Sequence, residues 1–264
     1  MDISRIRGSG ADGAITSEDV LAAAAALPVP AAPAQASAAL AAVARLMAER
    51  TTQSWTQVPH FFLVREVDAG ALVQTRERLG SAIERERGVR LTHTDLFVAL
   101  AARVLRKHPK MNASWAGNAI QFNPQVNMSV AMAVTDGVVA AVIPNADVAA
   151  LADIALQRRD LSERARGGRL RPADLAAGTF TITNLGMYGV DAFNAIIAPP
   201  QAASLAVGRI ADRVVAVNGQ PGVRPMVTLT LSGDHRVFDG AQGAMFLNDL
   251  AEAIRVPGEW LGED

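Results

Sequence analysis

The sequence predicts an α/β or α+β two-layer sandwich, a mixed central sheet with flanking helices, and three observations carry that prediction. Short runs rich in β-branched and aromatic residues recur along the chain, separated by long segments with apolar residues at helical spacing. These runs do not follow the regular strand-helix beat of a barrel. No repeat of fixed period is present.

Residues 1–24 read as a small N-terminal piece. Thr16 with Asp19 three positions on marks a helix start there, ahead of Val20, Leu21 and Ala22. Residues 25–38 are an Ala/Pro linker, semi-extended around Pro28, Pro30 and Pro33. Residues 39–264 have the composition of a folded domain. It begins with a helix over 39–50 and a strand over 61–67. Helices over 72–87 and 95–107 follow, the second burying one face through Leu96, Leu100, Val104 and Leu105. Strands at 126–134 and 138–143 precede a charged-faced helix over 148–164. Apolar, β-branched runs at 179–183, 204–207 and 227–231 suit strands, and 243–255 is a terminal helix.

The 264 residues suffice for one sizeable core. Half are apolar and only 5% aromatic, so aliphatic side chains should pack it. A net charge of −1 argues against a nucleic-acid groove or an anionic membrane surface as partner. The chain contains no cysteine, which excludes disulfides, thiolate zinc sites and a cysteine nucleophile. The N-terminus carries no apolar signal segment, and the three prolines prevent the Ala-rich stretch at 20–44 from forming one spanning helix. The expectation is a soluble, cytoplasmic protein.

Gly8-Ser9-Gly10-Ala11-Asp12-Gly13 has the G-x-G-x-x-G spacing of a dinucleotide loop, but too few residues precede it for the strand such a loop requires. A plain loop is the better reading. His235 lies where a β-branched strand runs into a glycine-containing turn, a place where loops expose catalytic groups. On spacing alone it reads equally as a general base or as a surface histidine in a charged turn. A metal role with Asp239 lacks a third ligand among His60, His93 and His108. Those three have structural readings: His60 at the start of a strand, His93 just before a helix begins at Thr94, His108 at a helix end. Thr183 closes a strand, where a hydroxyl commonly caps a backbone group. No G-x-S-x-G elbow occurs, which argues against a serine hydrolase.

Asp234-His235-Arg236-Val237-Phe238-Asp239-Gly240 resembles the H-x-x-x-D-G signature of the catalytic domain of dihydrolipoyl acyltransferases, the core subunits of 2-oxoacid dehydrogenase complexes. Chloramphenicol acetyltransferase shares that fold and signature. Residues 48–61, Asn112-Ala113-Ser114, 138–143, 179–190, 196–203 and 205–208 follow in the family's order, so the resemblance spans about 39–257. Residues 3–20 resemble the tail of the peripheral-subunit-binding domain that precedes this catalytic domain. Its first helix is missing, Ala14 replaces the family's arginine, and no lipoyl domain is seen. Two further departures are Ala44, where the family has a basic residue ahead of Arg45, and Ala141-Val142-Ile143 in place of Val-Pro-Val. They bear on cage contacts and the substrate channel rather than on the base.

The resemblance implies direct acyl transfer without an acyl-enzyme, with no covalently bound cofactor and acyl-CoA or CoA as substrate. His235 would take the proton of a thiol or hydroxyl acceptor. Thr183 would donate to the oxyanion, and Asp239 would orient the site through an arginine, for which Arg50 is the candidate. Asn184 and Gly240 are supporting residues of the two motifs. It also implies a homotrimer, or a larger trimer-based assembly, with the active site between subunits. Three functions follow. The first is a free-standing acetyltransferase acting on a small-molecule hydroxyl in a biosynthetic pathway such as a polyketide or tetronate route, favoured by a chain that starts without a lipoyl domain. The second is the acyltransferase core of a pyruvate or branched-chain 2-oxoacid dehydrogenase complex. The third, a non-catalytic scaffold, is opposed by the intact His235, Asp239 and Thr183.

Overall fold

A computed structural model describes residues 6–25 and 41–262. The chain divides into two compact units, one ending at Leu40 and one starting at Ala41. In the first, a loop and a short turn at Ala11–Gly13 lead into helix α1, Ser17–Ala25. Thr16 and Asp19 cap it as expected. The Asp19 carboxylate accepts the Thr16 N–H at 2.9 Å and the Ser9 N–H at 2.8 Å, and the Thr16 hydroxyl accepts the Asp19 N–H at 3.3 Å. The backbone N–H groups of Ser9 and Thr16 hold that carboxyl far below the usual range. No strand leads into the glycine loop among residues 6–9. Its tightness explains Gly8, where a Cβ would lie 2.3 Å from the Gly13 carbonyl oxygen. The linker lies outside the described residues, apart from Ala25, which ends α1.

The second unit runs α2 (Ala42–Gln57), β1 (His60–Asp68), α3 (Gly70–Arg87), α4 (His93–Leu105), β2 (Ala113–Ala116), β3 (Ala119–Phe122), β4 (Met128–Val134) and β5 (Gly137–Ile143). It continues with α5 (Leu151–Arg166), β6 (Phe180–Asn184), β7 (Ala203–Val207), β8 (Ala211–Val217), β9 (Gln220–Asp234), α6 (Gly240–Arg255) and α7 (Pro257–Leu261). A seven-stranded sheet has the order β1-β9-β7-β6-β4-β5, with β8 paired to β9. The β4–β6 and β6–β7 pairs are parallel and the rest antiparallel. This is the mixed sheet with flanking helices that the sequence predicted.

Helix α4 departs from its expected one-sided burial. Leu96–Ala102, Val104 and Leu105 are all buried, because α3, α5, α6 and α7 pack around it. A helix apolar all round belongs inside a core. Thr92 and Asp95 form its capping box, and the fully buried Asp95 carboxylate is neutralised by Arg158 at 2.7 Å. The 15-residue β9 far exceeds the run expected at 227–231, since it pairs with β1, β7 and β8. Its C-terminal half, Val227–Asp234, is buried throughout. β9 therefore fixes where its C-terminal end, and the motif that follows, must stand.

Candidate active site

Backbone contacts set His235 at the end of β9. Its N–H donates to the Pro59 carbonyl at 3.1 Å, adding a rung beyond the β1–β9 ladder that ends at His60 and Asp234. The Phe61 ring lies 4.7 Å from the imidazole, centroid to centroid, and 5.3 Å from the Phe238 ring. Gly233 is required here, because a Cβ would approach both phenyl rings to 2.5 Å. Asp234 is held from several sides. Its N–H donates to Ala202 at 2.9 Å and its carbonyl accepts the Val237 N–H at 2.9 Å. Its buried carboxylate is gripped by Arg236 through Nε at 2.9 Å and Nη2 at 2.7 Å. That bidentate bond raises the affinity of Arg236 for its proton. The Arg236 guanidinium also sits 5.3 Å above the Trp115 ring. His235 itself is exposed on this rigid mount.

Asp239 caps α6. Its carboxylate accepts the Gln242 N–H at 2.9 Å while the Gln242 side chain accepts the Asp239 N–H at 3.3 Å. Within one chain no hydrogen bond or ion pair joins Asp239 to Arg50, which lies exposed on α2. Gly240 opens α6, and a Cβ there would meet nothing within 4 Å. Packing inside the chain therefore does not demand this glycine.

Thr183 stands elsewhere. It is half-buried near the end of β6 and lines a cavity of about 580 Å³ with Phe97, Val130, Met132, Asn184 and Tyr188 among its walls. Asn184 shapes the turn beyond β6: its Nδ2 donates to the Thr94 hydroxyl at 3.1 Å and its Oδ1 accepts the Gly186 N–H at 2.8 Å. His93 lines the same cavity. Its Nε2 is buried with no partner among the described residues, and burial, then Arg76, lowers its affinity for a proton. His93 is the first residue of α4 rather than its antecedent, and a histidine before a capped helix gave no sign of this position.

The structure thus groups the predicted residues into two sets, Thr183 with Asn184 and His235 with Asp239 and Gly240. The register places Thr183 level with Ala206 and Ala206 level with Thr230, five residues short of His235. Two strand spacings and five residue rises put the Thr183 and His235 Cα atoms about 19 Å apart.

Residues 32–262 match the family of 2-oxoacid dehydrogenases acyltransferase catalytic domains. The chain belongs to this family. The acyltransferase domain is similar to the dihydrolipoyllysine-residue acetyltransferase components of pyruvate dehydrogenase complexes from Rickettsia felis and Schizosaccharomyces pombe. It is 35% identical to the first over 81% of this chain and 52% of that one, and 36% identical to the second over 98% and 58%. The chain therefore spans about half the length of the curated relatives it matches. Among solved structures, it superposes on a probable dihydrolipoamide acetyltransferase from Listeria monocytogenes with a TM-score of 0.81 and 34% identity, covering 85% of this chain and 96% of that one. The cubic core of a pyruvate dehydrogenase multienzyme complex gives 0.83 and 29%, covering 89% and 99%. A dihydrolipoamide acetyltransferase from Azotobacter vinelandii, studied for a serine, a histidine and an asparagine in its mechanism, gives 0.83 and 28%, also covering 89% and 99%.

Proposed function

We propose that this domain transfers an acetyl group between coenzyme A and a dihydrolipoyl thiol, as the core of a pyruvate dehydrogenase-type complex. The observation that carries the reading is the pair of half-sites, a histidine mount at one end of the sheet and a hydroxyl-lined cavity at the other. The Azotobacter vinelandii enzyme supports it. Its studied serine lies fifty-two positions before the histidine and the asparagine four after it. Thr183, His235 and Asp239 stand at the same intervals.

In this mechanism His235 removes the proton of the attacking thiol, and the sulfur adds to the thioester carbonyl. The Thr183 hydroxyl donates to the resulting oxyanion. Collapse of the tetrahedral intermediate breaks the old carbon–sulfur bond, and the departing thiolate takes the proton back from His235. Asp239 acts by capping α6 and so fixing the turn that begins at His235. The two residues are too far apart to serve one reaction within a single chain. His235 of one copy therefore meets Thr183 of another, in a trimer or an assembly built from trimers.

The comparisons favour this reading over the free-standing hydroxyl acetyltransferase that the sequence placed first, since the relatives' named acceptor is a dihydrolipoyl group. On this reading the domain works in the cytoplasm. No helix among the described residues is long and apolar enough to cross a membrane. The test is CoA release from acetyl-CoA with dihydrolipoamide and, separately, with a panel of small hydroxyl compounds. Turnover with dihydrolipoamide supports the core reading. Turnover with a hydroxyl while dihydrolipoamide is inert replaces it with the free-standing one.

A further inference from the structure

Resting on that reading, we infer that His60 is a positioning residue for His235. Its imidazole is bonded at both nitrogens. Nδ1 lies 2.8 Å from the Val58 carbonyl, which can only accept, so Nδ1 carries the proton. Nε2 is then a bare lone pair, and it accepts the Ile197 N–H at 3.1 Å. The same residue is held from the other side, where the buried Ser54 hydroxyl donates to the Ile197 carbonyl at 2.6 Å. The ring centroid lies 5.3 Å from that of Trp55 and 6.1 Å from that of Phe62.

These bonds close a circuit around the catalytic mount. From Ile197 the chain runs to Ala202, whose carbonyl accepts the Asp234 N–H at 2.9 Å. The next residue, His235, donates its N–H to Pro59, the neighbour of His60. Phe61, on the other side of His60, packs against the His235 ring. His60 therefore ties the segment before β7 to the start of β1, and His235 hangs from both. Neither nitrogen of His60 is free for substrate, so its influence passes through the backbone.

The tautomer supplies a discriminating test. A glutamine can place its Oε1 near the Nε2 position and accept the Ile197 N–H, whereas a leucine keeps the bulk and loses both bonds. Three assembled proteins, wild type, His60→Gln and His60→Leu, would be compared by acetyl-CoA:dihydrolipoamide kinetics and by amide hydrogen exchange read by mass spectrometry. The expected result is a fall in kcat of about tenfold or more for His60→Leu, with KM for CoA within about twofold, because slight misplacement of a reacting group is costly. Exchange should rise in peptides spanning 191–202 and 233–238, and His60→Gln should recover most of both. The inference is overturned if His60→Leu turns over like wild type, if glutamine and leucine fall alike, or if the loss lies in KM alone. If wild type transfers to no acceptor, the functional reading fails separately. Exchange then decides for His60, and unchanged protection at 233–238 in His60→Leu overturns the inference.

Discussion

Thr183 and His235 stand at opposite ends of one sheet, two strands and about 19 Å apart. In the mechanism proposed above a base and an oxyanion donor must both lie within hydrogen-bond reach of one reacting carbonyl, so each chain would hold half of two different sites.

Subunit mixing tests this directly. Thr183→Ala should lower kcat by about 10²–10³, the usual cost of a lost oxyanion donor, and His235→Ala should abolish measurable transfer. Co-assembly of the two variants in equal amounts should restore about a quarter of wild-type sites, because each site draws independently on two subunits. Steady-state kinetics on the co-purified mixture reads the recovery, and its absence would place both residues in one chain's site.

Arg236→Ala leaves the buried Asp234 carboxylate without its guanidinium. Removing one partner of a buried pair costs about 3–5 kcal/mol, so the melting temperature should fall by several degrees. Because His235 is the next residue along, kcat should drop with it. Thermal melts and kinetics on the same preparation check both effects.

Gly233→Ala pushes a methyl group between Phe61 and Phe238, at 2.5 Å from each ring. Overpacking of this kind costs about 1–3 kcal/mol. The damage should fall on kcat more than on KM for CoA, since the rings that must move include the one packed on His235. A kcat/KM split on the purified variant reads it.

Asp174 gives a stability signal remote from the site. Bonds from Arg171 foremost, then Arg164, hold its carboxyl far below the ordinary range. A depressed folded-state pKa adds stability at pH values above the unfolded carboxyl's ~3.9, and that stability is lost as pH falls toward the folded value. Asp174→Asn should melt below wild type at pH 7, and the gap should narrow as pH drops below about 4. Paired melting curves across that range check the sign.

Much of this was legible in the sequence. Helices α3 and α5 and strands β1, β4 and β6 appear within about three residues of their expected ends, because helical spacing marks the helices and runs of β-branched, aromatic and apolar residues mark the strands. Strand β8 was missed: it places Asp212 and Arg213 among its alternating residues and offers no continuous apolar run. Its signal was the turn, Asn218-Gly219, with both residues at positive φ, the two-residue hairpin that Asn-Gly favours. The first half of β9 was hidden by Pro221 and Pro225, which read as breaks in a strand. In the site, local motifs marked His235 and Thr183. The part played by His60 could not be seen that way, since its partner Ile197 is 137 positions away.

The mount of His235 is made of groups outside its own ring. The Pro59 carbonyl, the β9 ladder and the Asp234–Arg236 pair make no use of the imidazole, so exchanging that side chain leaves the fold intact. On the function proposed above, one codon change would silence the domain and leave its architecture standing. An intact fold is therefore no record of surviving catalysis.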